Sequence, residues 1–491
     1  MLSCHHASAT AKRMAITIAI ATACFTTGAI AQDQPLPFGK VTMDGDLPAR
    51  SAVPRLFNEL DFQQATQAYL WALPLVAYAQ WQKETYDKFG AHSGDIVVYT
   101  TWKDKLGILT ANATTPYILG FVELDKTGPL VIDMPAGPTA GGVGDFWQRA
   151  MIDMGQTGPD KGQGGKYLII PPGSKAPAGV KGYYVAQSET NNILVGFRVL
   201  EPDPDKAKAI VGKIRIYPYN QRDNPPAERV LTPGGKDWSG TQPDGMAYWQ
   251  LLHDIIQREP VNERDRFYMA MLANLGIEKG KPLNPTPAQR QALEKGAAAG
   301  KLLAEVNTFA KRFPNVRHWP DRQWEYALFI DDPSQRVENY DQLWERTAWF
   351  YEAVTDTKGM ISSTPGLGQA YLGSYTDKNE AWLDGGKDYH LHIAANPPEK
   401  QFWSLTLYDT ATRRFVENAQ QKSDVSSREQ LQKNADGSVD LYFGPKAPAG
   451  KESNWIQTVP GKHWFAYLRL YGPTEAYFDK SWKMGDIEAG Y

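Results

Sequence analysis

Arg469 stands in the middle of an apolar and aromatic run, Trp464-Phe-Ala-Tyr-Leu-Arg-Leu-Tyr471. An unpaired guanidinium is costly to bury, so Arg469 must meet either an internal carboxylate or a ligand. In a strand, alternation puts Phe465, Tyr467, Arg469 and Tyr471 on one face and Trp464, Ala466, Leu468 and Leu470 on the other. The run Phe402–Tyr408 alternates in the same way, with Ser404, Thr406 and Tyr408 opposite Trp403, Leu405 and Leu407, and Asn454-Trp455 lies just upstream of Arg469's run. Converging faces of this kind offer hydroxyl, amide, guanidinium and ring groups, which suit a carboxylate or a sugar. The candidate ligand-binding residues are therefore Trp403, Thr406, Tyr408, Asn454, Trp455, Arg469 and Tyr471. The competing reading is an internal salt bridge at Arg469, with the tyrosines completing the core.

A second candidate set follows the glycine-rich Gly141-Gly-Val-Gly144, where Asp145 and an exposed Trp147 would suit small-ligand or glycan contact. If 145–153 is one strand, Asp145 and Asp153 share a face about 26 Å from end to end. A glycosidase carboxylate pair needs about 5–9.5 Å, so catalysis by this pair is not expected. His390 and His392, two apart, would put both rings on one face, with His463 as a possible third metal ligand. Tyr389, Leu391 and Ile393 supply the apolar face, which leaves the histidines on the solvated side; neither a tightly bound metal nor a cofactor is expected. His253 shares a helical face with Met246, Trp249 and Ile256 and reads as a half-buried, satisfied imidazole. The Gly155–Lys166 stretch does not have phosphate-loop spacing, with Tyr167 where Ser or Thr would bind magnesium, and reads as a flexible loop. No Gly-x-Ser-x-Gly occurs, so a serine hydrolase is not expected and no motif identifies catalytic residues.

The elements that must position these residues change period along the chain. From Asp61, a plausible cap, Phe62, Ala65, Tyr69, Ala72 and Val76 recur at helical spacing, with Pro74 expected to kink the helix. Short β-branched or aromatic runs follow at Ile96–Thr100, Tyr117–Val122, Pro129–Asp133, Lys166–Ile170 and Ile193–Val199, bounded by Gly and Pro, and read as a sandwich. Helical patterns then occupy Ala207–Ile214, Met246–Gln257, Asn262–Leu275, Pro287–Phe313 and Gln335–Ala353. Strands return at Tyr389–Ile393, Phe402–Tyr408, Val439–Phe443 and Trp464–Tyr471. The expected layout is a signal peptide over 1–31, an extended arm over 32–57, a β-sandwich over 58–202, helices over 203–358 and a second sandwich over 359–491.

With 491 residues the chain is long enough for two to four folding units at about 100–200 residues each. Its 43 glycines, 34 prolines and 12% aromatics favour a turn-rich, β-heavy chain. Lys12 and Arg13 precede an apolar run that ends at Ala29-Ile-Ala31, the pattern of a secretory signal cleaved after Ala31. That run is too short to span about 30 Å of hydrocarbon. A periplasmic or secreted protein without a transmembrane anchor is expected, and a lipid anchor at Cys24 lacks the usual preceding Leu or Val. Cys4 and Cys24 both lie in the leader, so the mature chain would have neither disulfides nor a thiolate nucleophile. The whole chain carries a net charge of −3, and losing Lys12 and Arg13 makes it more acidic, which argues against a nucleic-acid partner.

The strings Ala68-Tyr-Leu-Trp-Ala-Leu-Pro-Leu75, Gly128-Pro-Leu-Val-Ile-Asp-Met-Pro135, Gly165-Lys-Tyr-Leu-Ile-Ile-Pro-Pro-Gly173, Phe402-Trp-Ser-Leu-Thr-Leu-Tyr-Asp409, Asn434-Ala-Asp-Gly-Ser438 and Leu468-Arg-Leu-Tyr-Gly-Pro473 carry a resemblance. It is to the paired bacterial families named domain of unknown function 1254, towards the N-terminus, and domain of unknown function 1214, at the C-terminus. The resemblance covers about residues 60–200 and 360–485. It implies an α+β, β-rich chain: an immunoglobulin-like sandwich, a helical middle and a C-terminal jelly-roll-like sandwich. It implies no reaction. The chain is expected to be an exported enzyme, hydrolytic, acting on a small or glycan-like substrate, or else a non-catalytic ligand-binding or envelope-interaction protein, with the site where sandwiches and helices meet. A titratable group perturbed inside a closed pocket would favour the enzyme.

Overall fold

Helix α1 runs from Val53 to Phe89. Asp61 does not cap it. The helix begins two turns earlier, with Pro54 in its first turn, where the missing N–H costs nothing. The computed structural model describes residues 34–361 and 363–491; the expected leader and cleavage after Ala31, and both cysteines, fall outside the described residues. Two compact units divide at Glu59. In the first, Gln34–Leu36 pairs with Gly39–Val41 and Met43–Asp44 with Leu47–Pro48, while Arg55 donates to the carbonyls of Phe38 and Lys40.

The second unit, Leu60–Tyr491, holds the remaining elements. Its first section contains β1 (Ile96–Tyr99), β2 (Tyr117–Glu123), β3 (Leu130–Met134), β4 (Thr139–Asp145), β5 (Ala150–Gly155), β6 (Gly165–Ile170), β7 (Tyr183–Gln187), β8 (Asn192–Val199), α2 (Pro204–Val211) and β9 (Arg215–Pro218). Helices α3 (Gly245–Arg258), α4 (Arg266–Asn274), α5 (Pro287–Phe309) and α6 (Leu343–Glu352) follow. The last section contains β10 (Gln369–Ser374), β11 (Tyr389–Ile393), β12 (Glu399–Asp409), β13 (Asp424–Ser426), β14 (Val439–Gly444), β15 (Trp455–Gln457) and β16 (Trp464–Pro473).

The fold is α+β with several sheets, none of them closed into a barrel among the described residues. In the first section β1-β2-β8-β4-β5 form one sheet, extended by the short strand Val230–Leu231, and β7-β6-β3-β9 form another. Ile118, Val122, Ile132, Tyr167, Ile193 and Val195 pack between them. In the last section Glu325–Tyr326 joins β10-β16-β12-β13, and β15-β14-β11 is completed by Glu488–Ala489. Leu391, Leu405, Leu441, Phe443, Leu468 and Leu470 fill that interface, so the apolar alternation of β12 and β16 faces inward as read from sequence.

A third core joins the sections. The other face of the β2-β8 sheet (Leu119, Phe121, Leu194) and the other face of the β12-β16 sheet (Tyr408, Phe465, Tyr467) both belong to the core that contains Tyr69, Trp249, Leu293 and Trp349 of the helices. Helix α5 approaches α1 closely because Gly296 and Gly300 leave room: a Cβ at either would sit 2.4 Å from Ala65 Cβ or 2.6 Å from the Tyr69 ring. Pro74 lies inside α1 without ending it. It leaves the Leu70 carbonyl without a helical partner, and Thr347 and Arg346 of α6 donate to the carbonyls of Leu70 and Trp71. Among the described residues no helix is long and apolar enough to cross a membrane.

Candidate functional site

Between the two large sheets and the helices lies a cavity of about 80 Å³. The β2-β8-β4 face supplies Tyr117, Leu119, Gly196, Arg198, Gly142 and Gly144; β10 and β16 supply Gln369, Tyr371 and Arg469; and the segment after α6 supplies Thr355 and Asp356. The glycines make the space. A Cβ at Gly142 would lie 2.7 Å from the Ile152 carbonyl, and one at Gly196 would lie 2.7 Å from Leu119, so neither position takes a side chain without a shift of its neighbours. At Gly144 the nearest atom to such a Cβ is the Tyr78 hydroxyl at 3.5 Å.

Asp356 is 4% exposed, and neither carboxyl oxygen has a hydrogen-bond partner among the described residues. Burial first, then the carboxyls of Asp145 and Asp153, hold its pKa well above the usual carboxylate range. The loop that carries it is held from three sides. The Thr355 amide donates to Gln148 Oε1 at 2.7 Å, the Thr355 carbonyl accepts from Trp349 Nε1 at 2.8 Å, and the Lys358 and Gly359 amides donate to Asp153 at 3.1 and 2.9 Å. Thr355 itself has φ +66°, a left-handed conformation that a β-branched residue rarely adopts and that costs about 1–3 kcal/mol. Gln148 also donates to the Pro74 carbonyl at 2.7 Å, tying the loop to α1.

The opposite chemistry comes from two guanidinium groups, Arg469 buried and Arg198 half-buried, whose hydrogen-bond partners among the described residues are all neutral. Arg198 donates to Tyr471 Oη at 2.7 Å, to Gln369 Oε1 at 3.1 Å and to Tyr371 Oη at 3.4 Å, over the Tyr117 ring at 5.0 Å. Arg469 donates to Tyr408 Oη and the Thr110 carbonyl, both at 2.6 Å, and to Thr406 Oγ1 at 3.3 Å, while its Nε has no partner. Thr110, like Thr355, is a non-glycine residue at positive φ, +39°. Near Tyr117, Lys105 is buried against the carbonyls of Ala113 and Thr115, and burial lowers its pKa to about 8. Asp356, Arg198 and Arg469 thus all line the same small cavity.

Of the residues singled out from sequence, the fold brings Thr406, Tyr408, Arg469 and Tyr471 together, through the β12-β16 register that pairs Ser404 with Arg469 and Thr406 with Tyr467. Among the described residues Arg469 forms no salt bridge, its donors going to Thr406, Tyr408 and Thr110. Trp403 does not join this cluster; it lies between the sheets of the last section. Asn454 is 2% exposed and ties Gln432 to the Asp440 carbonyl, while Trp455, in the other sheet, donates to the Gly444 carbonyl at 3.0 Å. Trp147 is 4% exposed, packed on Trp71 at 4.7 Å, which corrects its reading as an exposed platform. Asp145 and Asp153 do not lie on one strand. They belong to the antiparallel pair β4-β5, in which Gly142 faces Asp153, because the chain turns back at 146–149. Burial raises Asp145 to about 6.

His390 Nδ1 donates to the Gly490 carbonyl (2.6 Å), His392 Nδ1 to Asp440 (2.7 Å) and His463 Nδ1 to the Leu383 carbonyl (3.1 Å). No group of three or more His, Cys, Asp or Glu is arranged to hold a metal among the described residues. His253 is satisfied by the Lys281 carbonyl at 2.8 Å. In the glycine-rich loop, Asp160 accepts from Tyr167 Oη and from the amides of Gly155 and Gly164. Asp356 and Arg198 escaped the sequence reading. Arg198 carries the same signal as Arg469, a lone arginine in an apolar strand. Asp356 carries none, since its surroundings come from segments some 200 residues away in the chain.

The fold and the site define an α+β protein built from two sheet pairs around an internal cavity lined by guanidinium groups. The family model described as Protein of unknown function (DUF1254) matches residues 97–218, and that described as Protein of unknown function (DUF1214) matches residues 368–475, in the order expected. No curated protein matches the chain. The crystal structure of the VPA0106 protein from Vibrio parahaemolyticus shares the fold at a TM-score of 0.54 and 16% identity, over 88% of this chain and 100% of that one. An uncharacterized protein from Burkholderia cenocepacia aligns at a TM-score of 0.41 and 10% identity, over 90% of this chain and 96% of that one.

Proposed function

We propose that the chain binds a small organic anion in the cavity and performs acid–base chemistry on it, with Arg198 and Arg469 holding the anionic group and Asp356 as proton donor. One observation carries this reading: a carboxyl with a raised pKa and no hydrogen-bond partner lines the same cavity as two guanidinium groups, one buried and one half-buried, that have no carboxylate partner among the described residues. A buried cation without a counter-ion favours an anionic ligand, and a neutral carboxyl can protonate a leaving group. Hydrolysis is the reaction class we favour. Of the two substrate classes expected, small and glycan-like, a cavity of about 80 Å³ supports the small one.

We read the two sheet pairs as immunoglobulin-like and jelly-roll-like sandwiches. The compartment we propose, periplasmic or secreted, is supported by the composition of Lys12–Ala31 alone. The function is tested by a thermal-shift screen of small carboxylates against the native chain, Asp356→Asn and Arg469→Met, followed by product analysis on every carboxylate that stabilises the native chain. Binding lost in Arg469→Met and turnover lost in Asp356→Asn, with binding kept, are expected. Binding that survives Arg469→Met refutes the assignment.

A further inference from the structure

The inner cavity is small against the roughly 300–1,000 Å³ of ordinary ligand sites. A second cavity, of about 240 Å³, shares Met360, Gln369 and Tyr371 with it as common walls. The shared wall is not inert. Tyr371 donates to Gln369 Oε1, its hydroxyl accepts from Arg198, and its ring lies 5.5 Å from the Arg469 guanidinium carbon. Gln369 and Tyr371, which accept from Arg198, thus border both chambers.

The outer chamber has different chemistry. Tyr326, Phe329, Tyr477 and Phe478 line it with rings, and neither Arg nor Lys does. His318, 1% exposed, stacks on Tyr477 at 4.6 Å with an interplanar angle of 10°, and its Nδ1 meets Tyr326 Oη at 2.8 Å. Burial lowers this imidazole to about 4, so it stays neutral, and its Nε2 has no partner. The chamber's acid, Asp331, is engaged by Gln342 Nε2 at 3.1 Å. Ring-lined walls with a neutral polar edge suit an aromatic group.

We infer that the two cavities are one bipartite site, whose substrate is an aromatic carboxylic acid with its carboxylate at Arg198 and Arg469 and its ring in the outer chamber. This rests on the anion-binding reading of the inner cavity and adds the substrate class to it. Together the chambers reach the lower end of the usual size of a ligand site.

Calorimetric titration of acetate and of phenylacetate into the full chain tests this. Acetate fills the inner cavity alone, while phenylacetate reaches both. Phenylacetate is expected to bind at least about tenfold more tightly than acetate, a difference of about 1.4 kcal/mol. Phe329→Ala, at a half-buried position, is expected to remove that advantage and leave acetate affinity unchanged; Phe329→Leu, which keeps most of the volume, serves if the alanine variant melts early. Equal native affinities, or a Phe329 variant that weakens both probes alike, overturns the bipartite site. If neither probe binds the native chain, or if Arg469→Met retains acetate binding, the inner-cavity reading itself falls, and this proposal with it.

Discussion

Replacing Asp356 with Asn separates the cost of a buried carboxylate from the shape of the side chain. Folding raises the Asp356 pKa above its unfolded value of about 3.9, through burial first and the neighbouring Asp145 and Asp153 second. The folded state therefore holds the proton more tightly than the unfolded state. The stabilisation is complete below about pH 4 and is lost as pH rises towards the folded pKa. Within that window the native chain loses about 1.4 kcal/mol per pH unit through this one group, while an amide at 356 loses nothing. Both side chains lack partners and have nearly the same volume, so the expected outcome concerns slope. Unfolding free energies from urea titrations of the native chain and Asp356→Asn should diverge by up to about that amount per unit as pH rises above about 4, in favour of the variant and with unchanged m. Glu352, raised to about 7, is common to both proteins and cancels in the difference, whereas Asp145 and Asp153, whose carboxyls act on Asp356, titrate differently beside the amide. Parallel stability curves would show that Asp356 titrates alike in both states, and the proton donor would be lost with them.

Arg469→Met should cost about 1–3 kcal/mol, for the Thr110 carbonyl left without its donor. Breaking a buried ion pair would cost about 3–5; a loss of that size, relieved by also removing a carboxylate, would reveal a hidden partner. Gly142→Ala should destabilise by about 1–3 kcal/mol, since its Cβ meets the Ile152 backbone, whereas Gly144→Ala should keep its stability and lose affinity for acetate. Thermal melting and titration check both, and equal stability losses in the two variants would contradict this account of the cavity floor. N-terminal sequencing of exported protein should begin at Gln32; a lipid on Cys24 would contradict the signal-peptide reading.

Much of the fold was legible because its signals are local. Strands β2, β6, β8, β12 and β16 are β-branched or aromatic runs between Gly and Pro, and the inward face of β12 and β16 follows from alternation. Strand β4 was not, because Gly141-Gly-Val-Gly144 has almost no side chains to show a period, and reading through its turn to β5 put Asp145 and Asp153 on one imagined strand. The start of α1 was misplaced because Asp61 imitates a cap while Pro54 gives the actual first turn. In the site, Arg469 was visible as a charge needing a partner, but that its partners are hydroxyls and a carbonyl depends on Thr110, some 360 residues away. The environment of Asp356 is wholly tertiary. Its three loop tethers come from Gln148, Asp153 and Trp349, and no spacing in the sequence announces them.

The most direct test is a crystal structure of the chain at saturating acetate. The account predicts an acetate in the cavity between β8 and β16, its oxygens within hydrogen-bond reach of Arg469 Nε, the guanidinium nitrogen without a partner, and of the Asp356 carboxyl. A cavity holding only water, with Asp356 turned away from Arg469, would contradict it.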